Sequence, residues 1–435
     1  MSTLNRRKFL TMATGAVATS VIGFPAIARD SCASKVVVIG GGTGGAIAAK
    51  YIRLIDPTIE VTLVEQNKYY HTCFMSNEVL NGRRTIDSIK FDYDGLVKYG
   101  IKIHYDRAQS INPETKRVTL ARGKSLDYDR LIIAPGIDFR WNTIEGYDES
   151  VIDKIPHAWK AGSQTVILRQ QIAAMPNGGT VIIAVPKVPF RCPPGPYDRV
   201  SQIASYMLQH KPKSKLLILD SNYRFSKQKL FEKGWKQMYG YGTDNSMIEW
   251  VSSEMGGKVT RVDANNMTVI ADDNEYKADV INLIPPQMAG RIAVEHGLVE
   301  TVGKYQGWCP VNGKTFESKL HPNIHIIGDA CLTKMPKSAF SASSQAKVCA
   351  KAVVAALQDK PIVDHSPYLS TCYSIVGNDY GISVVGFYRP NEEGKIVRIK
   401  GVGGLSPLDA SPEFRKREVA YANSWYKNIT HEMFQ

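Results

Sequence analysis

Residues 35–65 read KVVVIGGGTGGAIAAKYIRLIDPTIEVTLVE, and their pattern sets the fold. Lys35–Ile39 is a short β-branched run, the signature of a strand buried on both faces of a parallel sheet. Gly40-Gly41-Gly42-Thr43-Gly44-Gly45 follows, then a helix-like run over 46–54, then a second apolar strand over 61–64 that ends at Glu65. Strand, G-x-G-x-x-G, helix, strand, acid is the order of a dinucleotide-binding unit. Glu65 lies 20 residues after Gly45, the spacing at which an acid meets ribose hydroxyls. Gly40 permits the tight turn, Gly42 lets the backbone approach a pyrophosphate, and Gly45 lets helix and strand pack closely. The helix N-terminus then offers free N–H groups and the positive end of its dipole to the phosphates.

Two later segments choose between FAD and NAD. Residues 128–138, YDRLIIAPGID, look like the strand and turn of flavoproteins with two dinucleotide domains, with Ala134-Pro135-Gly136 in place of the usual Ala-Thr-Gly. Residues 323–330, NIHIIGDA, resemble the strand-Gly-Asp signature whose acid holds the ribityl chain of FAD, which assigns Gly328 and Asp329 to the cofactor. A helix is expected to start near Ser338, with its positive end toward the flavin ring, where it would stabilise negative charge on the reduced flavin.

A second dinucleotide-type unit begins near Gly178, with strands over Thr180–Val185 and 216–219, a helix over 200–208, and Asp220 at the end of the second strand. Its connecting loop, Pro186-Lys187-Val188-Pro189-Phe190-Arg191-Cys192-Pro193-Pro194-Gly195-Pro196, has prolines where a glycine turn belongs. Proline removes N–H donors and fixes φ, so this loop does not cradle a pyrophosphate, and no NAD(P)H site is expected. The chain has neither the C-x-x-C nor the C-x-x-x-x-C spacing of an active disulfide, so an active cysteine pair must be long-range.

The first 28 residues read as an address. Asn5-Arg6-Arg7-Lys8-Phe9-Leu10 is a twin-arginine pattern, a weakly apolar stretch follows, and Ala26-Ile27-Ala28 has a cleavage-site form. That predicts export of a folded, cofactor-loaded protein to the periplasm. Removing the three basic residues of the signal from the formal charge of +13 leaves about +10, a field that would steer an anionic substrate or an acidic partner. No nucleic-acid motif, transmembrane span or metal site is expected. All seven cysteines follow the cleavage site, and their odd number leaves at least one outside any intrachain pair.

Tyr69-Tyr70-His71-Thr72-Cys73-Phe74-Met75-Ser76-Asn77-Glu78, the Cys192-Pro-Pro-Gly-Pro-Tyr loop and Ser370-Thr371-Cys372-Tyr373-Ser374 together resemble the flavoprotein subunit of flavocytochrome c sulfide dehydrogenase, over essentially the whole mature chain. The resemblance implies that Cys73 bonds covalently to FAD and that Cys192 and Cys372 form the redox-active disulfide. Asp198, a departure from the family's Glu, would handle the proton. Sulfide is the implied substrate, and the implied partner is a c-type cytochrome subunit carrying haem c, bound as a heterodimer. Hydrosulfide would open the disulfide, electrons would pass to the flavin and then singly to haem. Arg191 is expected to lower the thiol pKa of Cys192.

The expected fold class is α/β: two dinucleotide-binding (Rossmann-like) domains of the glutathione-reductase and pyridine nucleotide-disulfide oxidoreductase type, plus a smaller C-terminal α+β domain. The boundaries read are 29–145 and 286–358 for a discontinuous FAD domain, 146–285 for the second unit, and 359–435 for a C-terminal interface domain. There, strands are expected over 372–376 and 382–387, and Tyr421, Trp425, Ile429 and Met433 form an apolar stripe on a helix. Two rivals share the fold. A sulfide:quinone oxidoreductase would need a membrane-facing quinone pocket, whereas this C-terminus is charged. An NADH-dependent flavin reductase is disfavoured by the proline-rich loop. A third rival, a non-catalytic electron-transfer or assembly flavoprotein, would need no disulfide and would ignore sulfide.

Overall fold

The computed structural model describes residues 33–362 and 367–435. The twin-arginine segment, its cleavage site and Cys32 lie outside the described residues.

The strand Lys35–Ile39 sits at the centre of a five-stranded parallel sheet, flanked by Glu60–Val64 and Arg130–Ile133. Lys102–His104 closes one edge and Ile324–Ile326 the other. The β-branched run is continuous because both sheet faces are covered, one of them by the helix Thr43–Ile55, whose Ile47 and Ile52 are fully buried. Each such side chain contributes roughly 1.5–3 kcal/mol by leaving water. The late strand Ile324–Ile326 returns to this first sheet, leading straight into Gly328 and Asp329.

The second parallel sheet has the order Ile248–Val251, Lys215–Asp220, Thr180–Val185, Val280–Leu283. Between its two central strands runs the helix Gly195–His210. It begins five residues before the sequence pattern suggests, because Gly195 and Pro196 form its first turn, where proline's missing N–H is no loss.

The C-terminal part is an antiparallel sheet of Tyr368–Gly377, Tyr380–Pro390 and Ile396–Leu405, followed by the helix Pro412–Phe434. The helix buries Ala422, Tyr426, Ile429 and Met433, while Tyr421 is 55% exposed. The expected stripe was therefore wrong at its first member. Steps of four residues overshoot a 3.6-residue turn, so Tyr421 and Met433 stand about 120° apart around the axis. Among the described residues, no helix is long and apolar enough to cross a membrane, and no cluster of His, Cys, Asp or Glu could hold a metal ion.

Candidate active site

Gly40 has φ +97°, and a Cβ there would stand 2.4 Å from the Ala134 carbonyl oxygen. A Cβ on Gly45 would stand 1.9 Å from the Gly40 carbonyl oxygen, so helix and turn meet only because both positions are glycine. No side chain caps the helix at Gly42. Glu65 faces the loop: its Oε2 accepts the Gly41 N–H at 2.8 Å and its Oε1 the Asn67 N–H at 2.9 Å. Just beyond the strand Ile324–Ile326, the Gly328 N–H donates to Gln345 Oε1 at 2.8 Å. Asp329 Oδ1 is buried without a hydrogen-bond partner. A buried carboxylate oxygen lacking a donor calls for one, and a ribityl hydroxyl supplies it. With an uncapped helix N-terminus at a glycine turn and an acid at the second strand, these residues fit FAD.

Cys73 follows the short strand Tyr70–His71; its carbonyl accepts the Ser76 hydroxyl at 2.6 Å. Cys192 adopts φ +57°, a left-handed conformation that costs a non-glycine residue roughly 1–2 kcal/mol. Two backbone bonds hold it there: its N–H donates to the Lys337 carbonyl at 2.7 Å, and its carbonyl accepts the Gly195 N–H at 2.7 Å. Cys372 lies inside the strand Tyr368–Gly377, with its thiol against the Ser338 hydroxyl. Ser338 itself caps the helix Ala339–Leu357, accepting the Ser341 N–H. All six described cysteines are unbonded. Cys73, Cys192 and Cys372 nonetheless share one site: after burial, the charges of Cys372, Asp198 and Cys73 are what push the Cys192 thiol further up.

Arg191 bears on Cys192 only weakly. Its guanidinium donates to the Trp159 carbonyl, and it acts on Cys73, Asp329 and Tyr70 more than on Cys192. Burial raises the Cys192 thiol well above the ordinary value, and Lys227 opposes the rise more than Arg191 does.

Asp198 joins three segments. Its Oδ2 accepts Asn77 Nδ2 at 2.7 Å, and its Oδ1 accepts the Ile375 N–H at 2.8 Å, three residues beyond Cys372. Burial raises its pKa to about 6, against the pull of these two bonds and of Lys227. It is thus tied across the site, and no donor from its own helix takes its carboxylate. Beside it, the buried Arg199 donates to Asn77 Oδ1 at 3.0 Å, Asn282 Oδ1 at 2.8 Å and the carbonyls of His157 and Ala158. Burial lowers its pKa to about 9.

In the second unit the acid at the end of the second strand is already engaged. Asp220 is fully buried, with its carboxylate taken by Tyr197 Oη at 2.6 Å, Trp250 Nε1 at 3.0 Å and Asn222 N and Nδ2 at 2.9 Å each. A Cβ on Gly195, at the helix start, would fall 2.8 Å from the Trp159 ring and 2.9 Å from Cys192 Sγ.

Sequence reasoning placed the glycine loop, Glu65, Asp329, the three cysteines and Asp198, but missed Asn77, Arg199 and Lys227. Asn77 was in view only as part of a motif. Lys227 stands among other surface-type lysines, and only its left-handed backbone and burial in the folded chain mark it.

Residues 34–166 match the family model of pyridine nucleotide-disulphide oxidoreductases. Residues 165–285 match that of the central region of the sulfide dehydrogenase (flavocytochrome c) flavoprotein chain, and 365–434 that of the flavin-binding region of flavocytochrome c sulphide dehydrogenase. The chain is 58% identical over 45 residues to the sulfide dehydrogenase (flavocytochrome c) flavoprotein chain of Chlorobaculum thiosulfatiphilum, covering 94% of that sequence and 10% of this one. It is 32% identical over 159 residues to the sulfide-quinone reductase of Aquifex aeolicus, a match spanning 36% of each chain. The solved sulfide:quinone oxidoreductase of Aquifex aeolicus superposes with a TM-score of 0.67 at 18% identity over 92% of both chains, a likeness of fold.

Proposed function

Because the chain belongs to the family of flavocytochrome c sulfide dehydrogenase flavoprotein chains, we propose that it oxidises sulfide at a Cys192–Cys372 disulfide beside FAD and passes the electrons to a c-type cytochrome subunit. The observation that carries this reading is the convergence of Cys192 and Asp198, from the proline-rich loop and its helix, with Cys372, from a strand 180 residues on, next to the Asp329 turn.

Hydrosulfide opens the disulfide by thiol–disulfide exchange, giving one persulfide and one thiolate. Taking hydrosulfide to the level of elemental sulfur releases one proton and two electrons. Asp198, titrating at about 6, is placed to take the proton. FAD, when bound, supplies a two-electron acceptor that can release electrons one at a time. The left-handed turn at Cys192 and the strand at Cys372 hold the two sulfurs on separate elements, so the pair can open without unfolding either. The proline-rich loop and the engaged Asp220 of the second unit speak against NADH as the reductant.

The test is anaerobic addition of sulfide to the purified protein. The flavin absorbance should bleach and should recover with cytochrome c. Cys192→Ser and Cys372→Ser should each keep FAD and slow bleaching about a hundredfold or more. Parent-rate bleaching in both variants would refute the disulfide mechanism. The likeness to Aquifex sulfide-quinone reductase favours a second reading, with quinone as acceptor. Recovery of colour with a soluble quinone but not with cytochrome c would select it.

A further inference from the structure

We infer that Lys227 is a positioning residue that makes Cys372 the departing sulfur of the disulfide, so that the sulfur of the incoming hydrosulfide is left on Cys192. The inference rests on the sulfide reading above and specifies its first step.

Lys227 follows the strand Lys215–Asp220 and occupies the N-cap of the helix Gln228–Tyr239 with φ +62°. Glycine and asparagine take that conformation at low cost, and lysine does not. The backbone turn carries its side chain inward, where the residue is 5% exposed. The ammonium donates to the Cys372 carbonyl at 3.1 Å and to Ser374 Oγ at 2.7 Å, and stands 5.6 Å from the centre of the Phe231 ring. Among the described residues, no carboxylate lies within ion-pair distance of it.

The charged groups that face it come from three elements. Cys372 acts from its strand, Asp198 and Cys192 from the proline-rich loop and its helix, and Glu418 from the C-terminal helix. Burial disfavours the ammonium; of the groups that favour it, Cys372 is the strongest, ahead of Asp198, Cys192 and Glu418. Glu418 is already engaged by the Ser383 hydroxyl at 2.5 Å and the Ser406 hydroxyl at 2.7 Å. A buried ammonium without a counterion is expensive, and a thiolate at Cys372 completes it.

The surroundings of Cys372 agree. Burial raises its thiol, but Lys227 and the Ser338 hydroxyl both pull it back, and Ser338 marks the positive end of the helix Ala339–Leu357. Cys192 has the opposite balance: Cys372 and Asp198 each weigh on it more than Lys227 relieves it. The sulfur that better bears negative charge leaves faster. Hydrosulfide therefore attacks Sγ of Cys192. The Cys192–Cys372 bond breaks, its electron pair goes to Sγ of Cys372, and the products are a Cys192 persulfide and a Cys372 thiolate.

Two measurements on the holoprotein test this. In the first, the protein is reduced with a phosphine and labelled with iodoacetamide across a pH series, and each cysteine is followed by peptide mass spectrometry. Cys372 should label faster than Cys192, by about three- to fourfold for each pH unit separating their titrations, since the more acidic thiolate is also the weaker nucleophile. Lys227→Met should abolish the preference and shift the Cys372 labelling profile to higher pH, and Lys227→Arg should restore it. A purely structural lysine would not move that profile. In the second, one equivalent of sulfide is added to the oxidised protein and the persulfide is trapped and mapped; it should lie on Cys192. Faster labelling of Cys192 in the parent, an unchanged profile in a folded Lys227→Met, or a persulfide on Cys372 overturns the inference. The labelling uses no sulfide, so its failure is separate from failure of the sulfide reading, which would show as an unbleached flavin and no persulfide on either cysteine. If Lys227→Met does not fold, the parent ratio and the persulfide map still decide.

Discussion

Asn77→Ala should move the titration of the active site toward higher pH by an amount the structure sets. Asp198 is ionised against its burial with the help of two donors, Asn77 Nδ2 at 2.7 Å and the Ile375 N–H at 2.8 Å, and the balance stands at about 6 against an ordinary 3.8. A hydrogen bond to a charged group is worth about 1.5–3 kcal/mol, and one pH unit about 1.4 kcal/mol. Both bonds favour the charged form, so losing one raises the pKa, by about one to two pH units, to between about 7 and 8. The same shift appears in stability. The folded carboxyl titrates above its unfolded value, so the stability it contributes is present below about pH 4 and is lost as pH rises through about 6. In Asn77→Ala that loss should continue to about 7–8. The assay is stopped-flow bleaching of the flavin by sulfide, as the ratio of variant to parent at each pH, so that ionisation of the substrate cancels. Asp198→Asn should lack this pH limb altogether. A limb at the same pH in Asn77→Ala, or one that persists in Asp198→Asn, would refute the assignment of Asp198 as proton acceptor.

Acid precipitation should leave yellow colour in the parent pellet, and Cys73→Ser should release FAD to the supernatant while keeping the fold. Colour retained in that variant's pellet would place the attachment elsewhere. NADH should leave the flavin oxidised, because Asp220 is already saturated by Tyr197, Trp250 and Asn222; rapid bleaching at micromolar NADH would contradict this. Replacing Arg6 and Arg7 by Lys should keep the folded holoprotein in the cytoplasm, as followed by cell fractionation, and continued export would count against the twin-arginine reading.

What could be read in advance was what is local. The turn at Gly40, the packing at Gly45 and the acid at Glu65 lie within one strand–helix–strand stretch, where spacing and backbone sterics leave few alternatives. Asp329 was legible because its strand and turn are adjacent in sequence. Cys192 and Cys372 were paired only through the family resemblance; spacing cannot report that a loop of one sheet meets a strand of another. The same limit hid Lys227, Asn77 and Arg199, whose partners lie 145, 121 and 83 residues away. Arg191 bears less on Cys192 than its place in the sequence suggests, because adjacency in sequence does not fix where a long side chain points. In the structure its head group turns to the Trp159 carbonyl.

The strand Ile324–Ile326, which joins the first sheet next to Arg130–Ile133, has a bearing on how the protein is made. During synthesis the first half of the chain emerges with Lys35–Ile39 and both its neighbours, yet one edge of that sheet stays bare until some two hundred further residues have followed. Closing so long an excursion is entropically costly and slow, and an open strand edge invites wrong pairing in the meantime. The turn that presents Asp329 arrives with that last strand, and the helix Ala339–Leu357 that lies against Thr43–Ile55 comes after it. A ribosome-bound fragment therefore has the glycine turn but not the carboxylate for the ribityl chain. Stable flavin capture must wait until that strand and its turn have emerged, and chaperone demand should be greatest just before then.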